Sequence, residues 1–291
     1  MGTPYLNPDK YRFIRALRPF SYSVALITCG LGVTLSFVHD LGDPLRGVLV
    51  ILAGVLLQAA SNLANDHADL ALWKNRTGRM AVLAVKRIRF NFLVAGVLTF
   101  IASLMGIYLV IDVGWQLLVF GASGIIAGYF YTGGPIYYKS RGLGVPAVFL
   151  LTGVLMVSGS YYAVSAEWSN KVVLISLPVS LLASALLLAN ELRDYLDDKA
   201  NKIGTLTVKI GFNNSKALYA LCLLLTYPLS FYLFIIGAIQ NPLLLLLSLV
   251  FVWQPLRLLM CEVGDVQLVS LPPLTGRYFI AFGVGYIFSV M

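Results

Sequence analysis

Asn190-Glu191-Leu192-Arg193-Asp194-Tyr195-Leu196-Asp197-Asp198-Lys199 closes a run of about twenty nearly uncharged residues and packs four acids and two bases into ten positions. Carboxylates at the end of an apolar span are costly to desolvate, so such a cluster marks a functional site. Asn190, Asp194 and Asp198 recur every fourth residue, and a helix lines positions so spaced on one face. A second stretch, Asn62-Leu63-Ala64-Asn65-Asp66-His67-Ala68-Asp69, repeats the Asn-x-x-x-Asp spacing 128 residues earlier. We read the two stretches as facing each other and holding metal ions against a diphosphate.

The composition around them is that of a membrane protein. Of 291 residues, 59% are hydrophobic and 12% charged, where a soluble domain carries about 25% charged residues. Mean hydropathy is +0.83. Cys29, Cys222 and Cys261 lie in or beside apolar segments with neither metal-ligand spacing nor a disulfide framework, which points to core packing. Residues 1–19 are polar and basic and carry no clean small-residue cleavage site, so the first apolar run is read as an uncleaved span.

Apolar runs of spanning length predict an all-α, polytopic chain with nine transmembrane helices, at about 20–38, 47–65, 90–111, 115–132, 146–165, 172–191, 216–238, 242–260 and 276–291. Only Asp112-Val113-Gly114 separates the third run from the fourth. With a cytoplasmic N-terminus, nineteen of the 21 Lys and Arg residues fall inside, leaving Arg46 and Lys171 outside. Nine spans therefore satisfy the positive-inside rule, whereas eight spoil it. Each acidic stretch ends an even-numbered span, which places both on the cytoplasmic side. No long linker or low-complexity tract interrupts residues 1–291, so they are read as a single domain with its acidic motifs at 62–69 and 190–198. The echoed spacing hints at an internal duplication.

Mg2+ takes oxygen ligands and is typically held by one or two carboxylates together with substrate phosphates. Facing carboxylate pairs flanked by bases suit that complex. Asn62 and Asn190 can add a neutral oxygen or orient a carboxylate, while Arg193, Lys199, Lys74 and Arg76 can neutralise remaining phosphate charge. With diphosphate as the leaving group, metal ions stabilise the charge that develops on its oxygens. Asp69 and Asp197, taken alone, read as solvated helix ends. A transporter using the carboxylates as ion sites is the rival of a different class. Such sites lie near the bilayer midplane on broken helices, and these lie at one edge.

The residues themselves resemble the UbiA superfamily of intramembrane prenyltransferases, and most its 1,4-dihydroxy-2-naphthoate polyprenyltransferase branch. Asn65-Asp66-His67-Ala68-Asp69 is similar to that family's Asn-Asp-x-x-Asp signature. Asn190, Arg193-Asp194 and Asp198, followed by Thr205-Leu206-Thr207-Val208-Lys209-Ile210-Gly211, resemble its second signature. Tyr131-Thr132-Gly133-Gly134-Pro135 and Arg141-Gly142-Leu143-Gly144 resemble the loop between them, and Arg15-Ala16-Leu17-Arg18-Pro19 the entry to the first helix. The resemblance runs from about residue 12 to 211.

It implies a nine-helix bundle around a central cavity, with Asp66, Asp69, Asp194 and Asp198 holding Mg2+ and diphosphate. Asn62, Asn65, Asn190 and Arg193 would complete the substrate site, Lys139 and Arg141 would contact phosphate, and Arg18 would lie near the acceptor end. The reaction implied is transfer of a polyprenyl chain from its diphosphate to an aromatic acceptor such as 1,4-dihydroxy-2-naphthoate, in quinone biosynthesis. Its partners would be the prenyl diphosphate, the acceptor and the bilayer, with no nucleic acid. The site would open to the cytoplasmic side of a prokaryotic cell membrane. Tyr129 and Tyr131 could stabilise an allylic cation through their ring faces, with interfacial anchoring as the alternative for both.

Three positions depart from the family pattern. The third Asp of the first motif would fall at Trp73 or Asn75, of which only Asn75 offers a ligand oxygen. Val145 stands where an acid follows Gly-Leu-Gly, and His67 replaces an aromatic; His67 reads by default as an exposed residue, with a proton-acceptor or diphosphate role as the alternative. These departures leave open a non-quinone acceptor (glycerol-phosphate, sugar-phosphate or tetrapyrrole) or a prenyl-diphosphate cyclase.

Overall fold

The computed structural model of the chain describes residues 7–74, 76–132 and 134–291. Every regular element among the described residues is helical. Nine rods follow one another: α1 Tyr22–Val38, α2 Pro44–Asn65, α3 Arg79–Val113, α4 Gln116–Thr132, α5 Gly144–Ser165, α6 Asn170–Arg193, α7 Phe212–Ile235, α8 Pro242–Met260 and α9 Leu271–Ser289. Their starts have local causes. Asp43 accepts a hydrogen bond from the backbone N–H of Arg46, with Pro44 in the first turn, and Ser169 caps α6 through the N–H of Val172. Between α3 and α4 the chain reverses at Gly114, whose φ of 130° an L side chain rarely adopts.

Seven helical stretches among the described residues are long and apolar enough to cross a bilayer. Gln116–Tyr131 is a shorter apolar helix, and α9 falls outside the seven. The third rod begins at Arg79, eleven residues before the apolar run that predicts it. Lys86, Arg87 and Arg89 end the apolar run without ending the helix. At 35 residues it is about 52 Å long, against a hydrocarbon core of about 30 Å, so its basic end projects beyond the bilayer.

The most buried rod is α6, with 72% of its spanning window buried against 17% for α3. It packs against α7, α9 and the middle of α5, while α1 packs against α5, α2 and α9. These contacts are close because glycines face them: a Cβ at Gly153 would land on Ser180, and one at Gly32 on the backbone of Val157. Outward, Phe100, Leu104, Ile126, Leu247 and Val250 are more than half exposed within the rods. In water that apolar girdle would be a large aggregation surface, and in a bilayer it is the lipid face. The protein is an integral membrane protein. Cys29 and Cys222 are buried, as core packing requires, and Cys261 is partly exposed.

Candidate active site

Both acidic motifs sit where a long helix gives way to a short one. At the end of α2 the chain tightens into a 3-10 turn, Asp66–Asp69, and at the end of α6 Asp194 breaks helical geometry before the short helix Tyr195–Ala200. The four-residue spacing survives the break, since the N–H of Asp194 bonds the carbonyl of Asn190 at 3.0 Å and that of Asp198 the carbonyl of Asp194 at 2.8 Å.

In the first motif, Asn62 is buried and its Nδ2 donates to the Leu17 carbonyl and to Ser21 Oγ, both at 2.7 Å. It thereby ties α2 to the Arg18-Pro19 entry of α1. Arg18 sits at φ 48°, in the left-handed region that a non-glycine residue rarely occupies, and its Nη2 reaches Asp66 Oδ1 at 2.8 Å. Asp66 is 2% exposed, and its Oδ2 is buried without a partner. Asn65 is half-buried beside it.

Asp69 is not a free solvated carboxylate. Its Oδ2 accepts from Lys10 Nζ at 2.7 Å and from the Tyr11 hydroxyl at 3.0 Å. The Tyr11 oxygen in turn accepts from Trp73 Nε1 at 3.2 Å, the two rings meeting edge to face and both buried. Trp73 offers no ligand oxygen; it braces the residue that holds Asp69. Asn75, the other position for a third acid, lies outside the described residues. His67 is exposed with its ring against Phe92, which accords with its default reading as a tolerated surface residue.

In the second motif, Arg193 Nε and Nη2 donate to the two oxygens of Asp194, each at 2.7 Å. Burial raises the Asp194 carboxyl, but the Arg193 fork outweighs it and the net pKa is lowered. Arg193 is thus engaged by the neighbouring acid. Asp198 is 9% exposed, and burial pushes its carboxyl up to about 6 against the pull of Lys139. Asn190 donates Nδ2 to the Leu186 carbonyl and keeps Oδ1 buried and unpartnered. Asp197 is exposed, as read from sequence.

Lys10 and Arg18 stand near enough to act on the charge of both Asp66 and Asp194, so the two motifs face one another across these bases. No three metal-ligating side chains form a ready cluster among the described residues. The unpartnered oxygens of Asp66 and Asn190 and the Asp198 carboxylate are nevertheless hard-oxygen donors of the kind that Mg2+ takes.

Of the loop residues, Tyr131 approaches Gly144 and packs edge to face with Tyr138. Tyr129 is 64% exposed on the outer surface, so its role as a cation stabiliser gives way to interfacial anchoring. Lys139 is half-buried and acts on Asp198, while exposed Arg141 bonds the Pro135 carbonyl at 3.4 Å. Gly133 lies outside the described residues. Lys74 and Arg76 are exposed, and Lys199 lies over the Tyr195 ring. The bases nearest the first motif are instead Lys10 and Arg18. Lys10 and Tyr11 escape a motif search because they lie nearly sixty residues from Asp69.

A family model described as UbiA prenyltransferase family matches residues 25–261. The chain is 30% identical over 226 residues to the 1,4-dihydroxy-2-naphthoate octaprenyltransferase of Escherichia coli (strain K12), covering 73% of this chain and 72% of that one. To UbiA prenyltransferase domain-containing protein 1 of Gallus gallus it is 26% identical over 290 residues, covering 96% and 84%. A solved UbiA homolog from Archaeoglobus fulgidus, bound to GPP and Mg2+, shares the fold with a TM-score of 0.64 at 17% identity, covering 94% of this chain and 99% of that one.

Proposed function

The chain belongs to the UbiA prenyltransferase family, and from that membership we propose that it carries out Mg2+-dependent transfer of a polyprenyl chain from its diphosphate to 1,4-dihydroxy-2-naphthoate. That it is a prenyltransferase follows from the family; the acceptor is the added step. The observation that carries the reading is the facing of two acidic motifs whose buried oxygens lack partners. The names of the relatives support the acceptor.

In this reading residues 1–291 are one domain crossing the membrane nine times, with the N-terminus and the mouth of the site on the cytoplasmic side. The one-sided distribution of Lys and Arg supports that orientation. Asp66, Asp69, Asp194 and Asp198 would hold Mg2+, which when bound neutralises charge on the leaving diphosphate. Asn62 and Asn65 orient the first motif, and Asn190 offers a neutral oxygen from the second. Lys10, Arg18 and Lys139 neutralise phosphate charge, and Arg193 keeps Asp194 ionised and aimed. Arg141, turned onto its own loop, reaches phosphate only by leaving the Pro135 carbonyl. The Tyr131 ring stabilises the allylic cation left by ionisation.

The test is mass spectrometry of products from purified protein given Mg2+, prenyl diphosphates of several lengths and a panel of acceptors. Prenylated naphthoate is the expected product. Diphosphate release that needs no acceptor would point to cyclisation, and prenylation of a non-aromatic acceptor alone would overturn the reading.

A pH dependence follows from Asp198. Its folded pKa of about 6 lies above the ordinary 3.8, so the proton it holds stabilises the metal-free fold, and this contribution fades as pH rises from about 4 through 6. Metal needs the deprotonated form, so Mg2+ affinity runs the other way. Between pH 7.5 and 5.5 it is expected to weaken about 4-fold from this group alone. Calorimetric titration of Mg2+ binding at both pH values checks this, and Asp198→Asn should bind more weakly and without the difference.

A further inference from the structure

We propose that Glu191 recognises the acceptor, its free carboxylate oxygen Oε1 receiving a hydrogen bond from a hydroxyl group on the aromatic ring. Glu191 is 3% exposed. Its Oε2 is occupied, accepting from the backbone N–H and the hydroxyl of Thr207, both at 3.0 Å. That pair fixes the rotamer and ties α6 to the short helix Leu206–Ile210. Oε1 is buried with no partner. A purely structural glutamate would leave this oxygen without a protein partner for nothing, and buried acceptors are normally satisfied.

Gly144 stands against this carboxylate from the facing helix. A Cβ there would lie 3.3 Å from Leu187 Cδ2, 3.5 Å from Tyr131 Cε2 and 3.6 Å from Oε1, so Leu187, Tyr131 and the carboxylate converge on the glycine. Next along α6, Asn190 presents its own unpartnered oxygen. Neighbouring residues on a helix point about 100° apart, which sets the acceptor beside the diphosphate rather than on it. Val145, where the family resemblance expects an acid, is buried and directly follows Gly144, and Glu191 brings a carboxylate beside Gly144 from the facing helix. The inference rests on the aromatic-acceptor reading above.

Its test is equilibrium dialysis of 1,4-dihydroxy-2-naphthoate and its two monomethyl ethers against purified protein without prenyl diphosphate. A methyl ether cannot donate. Wild type is expected to prefer the free hydroxyl over one of the ethers by roughly 10- to 100-fold, the cost of leaving a buried acceptor without its donor. Glu191→Gln keeps both Thr207 contacts through its amide oxygen and should lose that preference, because its amide N–H can donate to an ether as well as to a hydroxyl. Gly144→Ala, which sets a methyl among Leu187, Tyr131 and Oε1, should weaken all three ligands together. Retention of the wild-type preference by Glu191→Gln would overturn the assignment. If wild type binds none of the naphthoates yet cleaves prenyl diphosphate with another acceptor, the functional reading fails and the assignment with it.

Discussion

Asp194→Asn is expected to abolish diphosphate release, by roughly 10³-fold or more, in a protein that still folds. The asparagine has the same size and keeps one oxygen for the Arg193 fork, so packing is preserved while one unit of negative charge is removed. The Arg193 fork lowers the pKa of this half-exposed carboxyl, so the charge removed is present at neutral pH. Asp66→Asn should lose activity to a similar extent, because its buried Oδ2 has no partner in the protein. Asp197→Asn is the control: it is exposed, three residues from Asp194, and should leave turnover within about 2-fold, as a surface change away from the chemistry does. A coupled diphosphate-release assay beside thermal melts separates chemistry from folding. If Asp194→Asn and Asp66→Asn release diphosphate like wild type, the carboxylates serve something else, and ion-coupled transport is the alternative to pursue.

The rods and the two motifs were legible because each rests on a signal contained in a short window. An apolar run of twenty residues or a four-residue spacing needs no knowledge of what lies across the bundle. The limits of that signal appear at Arg79, where basic residues end the apolar run but not the helix, since hydropathy reports the bilayer and not the hydrogen-bond ladder. What surrounds the motifs was less legible. Asp69 alone reads as a solvated helix end, and only the fold brings Lys10 and Tyr11 onto it. Trp73 reads as the loss of an acid, whereas in three dimensions its indole N–H closes a chain through Tyr11 to Asp69. Tyr129 and Tyr131 are indistinguishable as sequence, yet two residues along a helix separate a lipid-facing ring from one beside Gly144.

The N-terminal strap, residues 10–18 whose side chains close on Asp66 and Asp69, has its own energetic signature, and Arg18 is where it is largest. Arg18→Met is expected to destabilise the metal-free protein by about 3 kcal/mol, the low end for breaking a buried ion pair, because Arg18 keeps 28% of its side chain exposed. Asp66 is left 2% exposed with neither oxygen paired. Arg18→Gly should lose less, by about 1 kcal/mol, since glycine relieves the left-handed backbone that arginine endures at φ 48°. In the double variant Arg18→Met with Asp66→Asn the loss should be smaller than in Arg18→Met alone, because no buried charge remains to be orphaned. Mg2+ should narrow the gap between wild type and Arg18→Met, since a metal at Asp66 supplies the missing positive charge. Thermal melts in detergent across a Mg2+ series read all of these. If Arg18→Met melts with wild type in the absence of metal, the Arg18–Asp66 pair does not hold the strap to α2, and the Asn62 bonds to Leu17 and Ser21 must carry that junction alone.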